Sequence, residues 1–337
     1  MPALAIAGAL RTRGASVFFI GGDRAERELV PAAGYELERI SVRGLDRRNP
    51  LKASAALVRS ARATAAARTL LRSHGATAVL GAGGYVAAPV GLAAVSLRLP
   101  LVLCEADSHL GLANRRLAPF ARRVCLALPV PGRDGPRYLV TGRAVPPPQA
   151  DRAGARERYR LAPGDLMVLV FGGSLGARSI NEAALAGLDG ASFRVLHVTG
   201  ARDWPELRRR EVGPHYELVE FMAPADFDVA LAACDLVVAR AGGSIFEVAA
   251  HGRPAILVPY PHATADHQTT NAAWMAQAGA AVVLADAELS APRLAGEVGR
   301  LLRDPARRAA MSRASLAIAR PDAAAAIAAE VLAVAHP

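Results

Sequence analysis

The 337-residue sequence predicts an α/β protein of two Rossmann-like domains joined near residue 146. Three observations carry that expectation. Apolar runs of strand length alternate with helical stretches along most of the chain, the pattern of parallel strands linked by helical crossovers. Glycine-rich turns at residues 81–85, 172–178 and 240–244 each follow such a run and open a helix. Pro146-Pro147-Pro148 is the clearest linker, with several β–α units on either side of it.

Taken in order, residues 2–10 read as a helix with Pro2 in its first turn. A strand over 16–20 leads to Gly21-Gly22-Asp23. An α/β domain that opens on a helix lacks its usual first strand. Residues 43–72 are basic, with a helix from about residue 51. On a helical wheel Leu57, Val58, Ala61 and Ala65 share one side, with Lys52, Arg59 and Arg62 opposite. Arg68 and Arg72 then break the pattern, which fits a solvated outer helix or a membrane-surface contact. Strands follow over 76–80, 100–104 and 124–128, with helices from near Pro89 and over 117–123. The second half opens on a charged helix over 152–160. Its strands are expected over 166–171, 194–199, 216–221, 236–239 and 255–258. Helices start near Ile180 and over 226–233, and the tail from 309 is rich in helix formers, broken at Pro321.

Composition narrows the class. Hydrophobic residues make up 52% of the chain and aromatic residues only 5%, with a net charge of +10. The charge favours an anionic partner such as phosphate or an acidic membrane surface. The shortage of aromatic residues and the lack of any nucleic-acid motif argue against nucleic acid. Cys104, Cys125 and Cys234 lie in apolar contexts without metal-ligand spacing, so they read as reduced core thiols. No apolar run reaches the length of a membrane span, and residues 3–10 are followed by Arg11 and Arg13 rather than a cleavage site.

The chemistry concentrates in residues 236–271. An apolar strand turns through Arg240-Ala241-Gly242-Gly243-Ser244 into a helix carrying Glu247. A second strand leads to a polar loop with Asp266, His267, Gln268 and Asn271. Glycines allow a ligand to approach the backbone, and free N–H groups at a helix start favour phosphate. A carboxylate one turn into that helix can accept hydrogen bonds from both ribose hydroxyls. Gly172-Gly173-Ser174-Leu175-Gly176-Ala177-Arg178 offers a second set of N–H groups for a diphosphate, and Ser174 adds a hydroxyl. It is neither a Walker loop nor a dinucleotide fingerprint. A plain βαβ unit without ligand is the competing reading of either loop; the two loops and Gln268 in one half weigh against it.

These residues, in this order, resemble the MurG glycosyltransferases. The carrying segments are Pro2-Ala3-Leu4-Ala5-Ile6-Ala7, Gly81-Ala82-Gly83-Gly84-Tyr85-Val86 and Glu105 with Gly111-Leu112-Ala113-Asn114-Arg115. Gly172 to Asn181, Arg240-Ala241-Gly242 and Asp266 to Ala272 complete them. The resemblance implies the two-domain architecture called GT-B. An N-terminal acceptor and membrane-facing domain would span 1–145, and a UDP-sugar domain 146–321. A final helix, about 322–337, would pack back on the first domain. It implies an inverting transfer of N-acetylglucosamine from UDP-N-acetylglucosamine to undecaprenyl-pyrophosphoryl-muramyl pentapeptide, in peptidoglycan synthesis. The site would lie at the cytoplasmic face of the membrane, without spanning it and without metal or other cofactor.

By position, the resemblance assigns Ser174 to the diphosphate and Met222 to the uracil. Gly242, Gly243, Ser244, Ile245 and Phe246 would form the loop and helix start beneath the nucleotide. Glu247 would take the ribose and Gln268 the sugar. The sequence also departs from the family. The first strand and a Gly-Gly-x-Gly-Gly-His loop precede the Pro-Ala-Leu-Ala-Ile-Ala segment in such proteins, whereas Met1 stands where that loop would end. The N-terminal domain is therefore expected to lack that strand, that loop and its histidine. The family's Glu-Gln-Asn reads Glu105-Ala106-Asp107 here, and the resemblance implies that Asp107 would lie beside the sugar nucleotide. An expected arginine is Pro146, leaving Arg143 to supply the charge. The stretch from Arg240 to Glu247 is one residue short. Glu105, Asp107 and His109 are the candidate general bases, each with loop capping as its bland alternative. A related transferase acting on another lipid such as diacylglycerol, or a non-catalytic UDP-sugar-binding protein, are the rival functions.

Overall fold

The computed structural model describes residues 2–41 and 50–335, with side chains described outside 50–58. The chain divides into two compact units, Met1–Pro146 with Arg320–Pro337, and Pro147–Ala319.

In the first unit β1 (Phe18–Gly21) pairs in parallel with β2 (Glu36–Arg39). A second parallel sheet runs β3 (Val79–Gly81), β4 (Leu101–Glu105), β5 (Arg123–Leu126) and β6 (Tyr138–Val140), neighbours in chain order. Among the described residues no ladder joins the two sheets. Side chains alternate across β4, as strand geometry requires. Leu101 and Leu103 join Ala63, Ala67, Leu71, Val90, Ala93 and Ala94 of the helices Pro50–Ser73 and Gly84–Ser96. Val102 and Cys104 join Ile6 and Leu10 of the helix Pro2–Arg11, with Ile327, Ala328 and Val331 of the helix Ala323–Ala335. The last helix of the chain therefore completes the core of the first unit.

Several expectations need correction here. The helix Pro50–Ser73 buries Ala63, Ala67 and Leu71, whereas Ala61 and Ala65 are exposed. Ala63, Ala67 and Leu71, four residues apart, form the stripe that joins the core. Residues 43–49 of the basic run, and the side chains of Lys52, Leu57 and Val58, lie outside the described residues. The helix expected over 117–123 is instead Leu112–Leu117, followed by a short 3-10 turn, Ala118–Phe120. Gly111 precedes its first turn, and Pro119, which has no N–H to continue the α-helical bonding, sits inside the 3-10 turn. The helix expected near Pro89 begins upstream at Gly84 and takes the proline inside. Strands β2, β6 and β12 (Ala281–Val283) had no sequence signal; all three are half-exposed edge strands of three or four residues.

The second unit holds one six-stranded parallel sheet. Its strands are β7 (Met167–Phe171), β8 (Arg194–Val198), β9 (Tyr216–Val219), β10 (Leu236–Ala239), β11 (Ala255–Leu257) and β12. The spatial order is β12-β11-β10-β7-β8-β9. Every residue of β7 and β10 is buried, as unbroken apolar runs in a sheet covered on both faces should be. Each of their valines and leucines removed from water contributes about 1.5–3 kcal/mol. The chain runs outward from β7 to the edge at β9, then returns to place β10 on the other side of β7. Such a reversal opens a crevice beyond the carboxyl ends of the two central strands, where ligands of open α/β sheets bind.

Candidate functional site

The two glycine turns singled out in the sequence leave the sheet at that crevice, one after β7 and one after β10. In the first, Gly173 and Gly176 have φ of +96° and +78°, which demands glycine. A Cβ on Gly176 would collide with the Thr199 carbonyl oxygen, so this turn is pressed against the chain leaving β8. The amides of Ala201 and Arg202 donate to the carbonyls of Ser174 and Leu175, docking the turn on that chain. Gly173, Ser174 and Leu175 are exposed above it, Leu175 at 63%.

The second turn presents Gly242, Gly243, Ser244 and Glu247 half-buried among buried neighbours. Gly242 needs no positive φ, and a Cβ there would meet nothing within 4 Å. Neither backbone strain nor packing requires a glycine at this place, so open access above the backbone is what it provides. Ile245 and Phe246 are buried, at 0% and 7% exposure, and Phe246 packs against Trp274. Of the candidate binding residues these two offer backbone groups, not side chains. Ser244 makes no side-chain capping bond to the helix Ile245–Ala250.

Two buried polar side chains, Arg240 and Asn271, hold this turn, and neither was assigned a role from sequence. Arg240 donates to the carbonyls of Val258 and Pro259 at 3.2 Å, to Asp286 at 2.6 Å and to Ser179 Oγ at 2.9 Å. It ties the ends of β10 and β11 to the helix Arg178–Leu188. Burial opposes the charge of Asp286, but the Ser179 and Arg240 hydrogen bonds outweigh it and hold its pKa below the ordinary carboxylate value. Asn271, in the helix His267–Gln277, donates to the Ala241 carbonyl at 2.9 Å.

Gln268 sits in the first turn of that same helix. Its Oε1 accepts from the Tyr260 amide at 2.9 Å. Just before it, Ala265 and Asp266 both have φ of +52°, a left-handed conformation costly for non-glycine residues. Asp266 receives the Thr269 hydroxyl at 2.6 Å. Met222 lies half-buried beyond the end of β9, next to Phe221, which is 63% exposed.

Beneath the β7 turn, Asn181, His197, Thr199 and Asp203 form a buried polar chain that sequence reading passed over. A histidine, an asparagine and a threonine inside apolar periodicity were the available signal. Burial pushes His197 down to about 4, so its imidazole is neutral.

The remaining candidates belong to the first unit. Glu105, at the end of β4, is buried. Its carboxylate accepts from the amides of Asp107 at 3.3 Å and Gly111 at 2.8 Å, and from Asn114 Nδ2 at 2.9 Å. It organises the loop that carries Asp107 and His109, both half-exposed. Arg143 donates to the Ala106 carbonyl at 2.9 Å, which brings it to the same loop. Glu105, Asp107, His109 and Arg143 thus form one cluster, and Ser174, Met222, Gly242 to Glu247 and Gln268 belong to the second unit. All three cysteines are buried, with thiols pushed up to about 12 by burial, which leaves them without nucleophilic character.

Comparison with known proteins agrees along nearly the whole length. The glycosyltransferase family 28 N-terminal domain matches residues 1–126, and the family 28 C-terminal domain matches residues 167–327. The UDP-N-acetylglucosamine--N-acetylmuramyl-(pentapeptide) pyrophosphoryl-undecaprenol N-acetylglucosamine transferase of Moorella thermoacetica is 41% identical, over 96% of this chain and 92% of its own. The enzyme of the same name from Alkalilimnicola ehrlichii is 42% identical, over 97% and 93%. The crystal structure of Acinetobacter baumannii MurG superposes with a TM-score of 0.79 at 27% identity, covering 98% of this chain and 95% of that one.

Proposed function

Since the chain belongs to glycosyltransferase family 28, we propose that it transfers N-acetylglucosamine from UDP-N-acetylglucosamine to undecaprenyl-pyrophosphoryl-muramyl pentapeptide. The observation that carries this reading is the meeting of two glycine turns at the reversal point of the second sheet, in a chain 41–42% identical to enzymes of that name.

In this reading the second unit binds the donor. Amides of the turn 172–177 and the Ser174 hydroxyl take the diphosphate, whose leaving charge they stabilise. Gly242 and Gly243 let the nucleotide lie on the backbone, Glu247 accepts from the ribose hydroxyls, and Met222 packs on the base. Gln268, with its oxygen held by Tyr260, turns its NH2 to the sugar. The residues in these roles act by holding and orienting the donor, which can supply much of the acceleration.

The first unit takes the acceptor. Its sugar hydroxyl attacks the anomeric carbon, a base on the loop 105–111 removes the proton, and UDP departs with inversion. Asp107 and His109 are the bases we favour, because both are half-exposed, whereas Glu105 is buried and organises its own loop. Arg143 adds positive charge to the same loop.

A lipid-linked acceptor requires work at a membrane, and we place the protein at its cytoplasmic face. No helix among the described residues is long and apolar enough to cross a membrane. The segment 112–122 supports surface contact: Leu112 and Phe120 are exposed, Phe120 at 60%, alongside exposed Arg115, Arg116 and Arg122. The net charge of +10 favours an anionic surface.

The test is UDP release from UDP-N-acetylglucosamine in the presence of lipid-linked muramyl pentapeptide. Turnover with that acceptor supports the proposal. Turnover only with diacylglycerol, or donor binding with no turnover on any lipid, refutes it.

A further inference from the structure

Around the end of β8 the donors and acceptors admit one arrangement. Asn181 approaches the Thr199 carbonyl oxygen at 3.0 Å and Asp203 Oδ2 at 2.9 Å through the same nitrogen. Both partners only accept, so that atom is the NH2 group and Asn181 Oδ1 faces the other way. Oδ1 lies 3.0 Å from His197 Nε2, which must therefore carry a proton. The imidazole is buried and neutral, so Nδ1 bears none and accepts from the Tyr216 hydroxyl at 2.8 Å. Burial also raises the Tyr216 pKa, keeping that hydroxyl protonated. The direction of every bond from β9 to the helix Arg178–Leu188 is thereby fixed.

This chain ends on the backbone that supports the β7 turn. Thr199, whose carbonyl Asn181 holds, is the residue pressed against Gly176. Asp203, held by the same amide and by Arg178 at 2.9 Å, closes the segment whose Ala201 and Arg202 amides carry Ser174 and Leu175.

We propose that His197 and Tyr216 are positioning residues for the diphosphate turn, acting through Asn181 on the segment 199–203. Neither side chain reaches the crevice: His197 is fully buried and Tyr216 nearly so. Their contribution is to fix one tautomer, and with it one orientation of the Asn181 amide. The proposal rests on the donor-pocket reading for its consequence in binding, but not for its geometry.

Three measurements test it. Nitrogen-15 NMR of the histidine rings should show His197 as the Nε2–H tautomer; an Nδ1–H tautomer or an even mixture overturns the relay. Hydrogen exchange over residues 172–178 should rise at least tenfold in His197→Leu and return toward wild type in His197→Gln, whose amide nitrogen can restore the donor to Asn181. Tyr216→Phe, which keeps the ring, should fall between them and covers the case in which His197→Leu does not fold. UDP titration should show affinity roughly tenfold weaker in His197→Leu, the worth of one well-placed hydrogen bond, with recovery in His197→Gln. Unchanged exchange and affinity in both His197→Leu and Tyr216→Phe overturn the proposal. If wild-type protein binds no UDP, the donor-pocket reading fails while the tautomer and exchange results still decide the relay.

Discussion

The Tyr260 amide donates to Gln268 Oε1 across 2.9 Å, and that contact decides which end of the glutamine faces outward. With the oxygen engaged, the outward group is the NH2, a donor suited to sugar hydroxyls. Gln268→Glu keeps the acceptor and removes the donors. Titration should show UDP-N-acetylglucosamine binding roughly 3–10-fold weaker, the loss of one net hydrogen bond, while affinity for UDP itself stays near wild type. Equal weakening of both ligands would count against a role at the sugar.

Gly242 and Gly176 should respond oppositely to the same substitution. Gly242→Ala meets no atom and needs no forbidden φ. It should leave stability unchanged or raise it by about 0.4–1 kcal/mol, yet weaken UDP binding by crowding the backbone face. Gly176→Ala must force a left-handed alanine, costing on the order of 1–3 kcal/mol, and collides with the Thr199 carbonyl as well. Thermal melts and UDP titrations of both variants check the contrast.

Removing Arg240 should damage the frame of the pocket. The pair with Asp286 is mostly buried, at 10% and 24% side-chain exposure. Arg240→Met deprives that carboxylate and three further acceptors of the guanidinium, so denaturant unfolding should show a loss of about 3–5 kcal/mol. Arg240→Met with Asp286→Leu should recover part of it.

Acid should weaken the protein above the pH at which carboxylates protonate. His197 has a folded pKa of about 4, below the ordinary value of 6.5, so the unfolded chain binds its proton first. The stability that neutral His197 contributes is complete above about pH 6.5, declines as pH falls toward 4, and amounts to about 3 kcal/mol at most. His251 is also held below its ordinary value, with burial the leading cause. The slope of unfolding free energy against pH between 6.5 and 4 should therefore shrink, without vanishing, in His197→Gln.

Central strands and glycine turns were legible because their signals are local. The runs at 167–171 and 236–239 are apolar throughout, and a glycine cluster after a strand has few other uses. The edge strands β2 and β12 were not, since a half-exposed strand of three or four residues carries no pattern of its own. The candidate residues of the donor pocket came from loops whose order the sequence displays. Arg240, Asn181 and His197 owe their importance to partners such as Asp286, Thr199 and Tyr216, 18 to 46 residues away, and spacing along the chain contains no trace of those pairings. Ile245 and Phe246 show a different gap: a motif names positions without saying whether their side chains are buried, as these two are.

The helix Ala323–Ala335 supplies Ile327, Ala328 and Val331 to a core whose other members include Ile6, Leu10, Val102 and Cys104, made more than two hundred residues earlier. During synthesis the second unit, continuous from Pro147 to Ala319, can fold as soon as it emerges. The first must wait with an apolar face uncovered until residues 323–335 have been made. The N-terminal unit is thus finished only after the second one, and its exposed interval on the ribosome grows with the length of everything between.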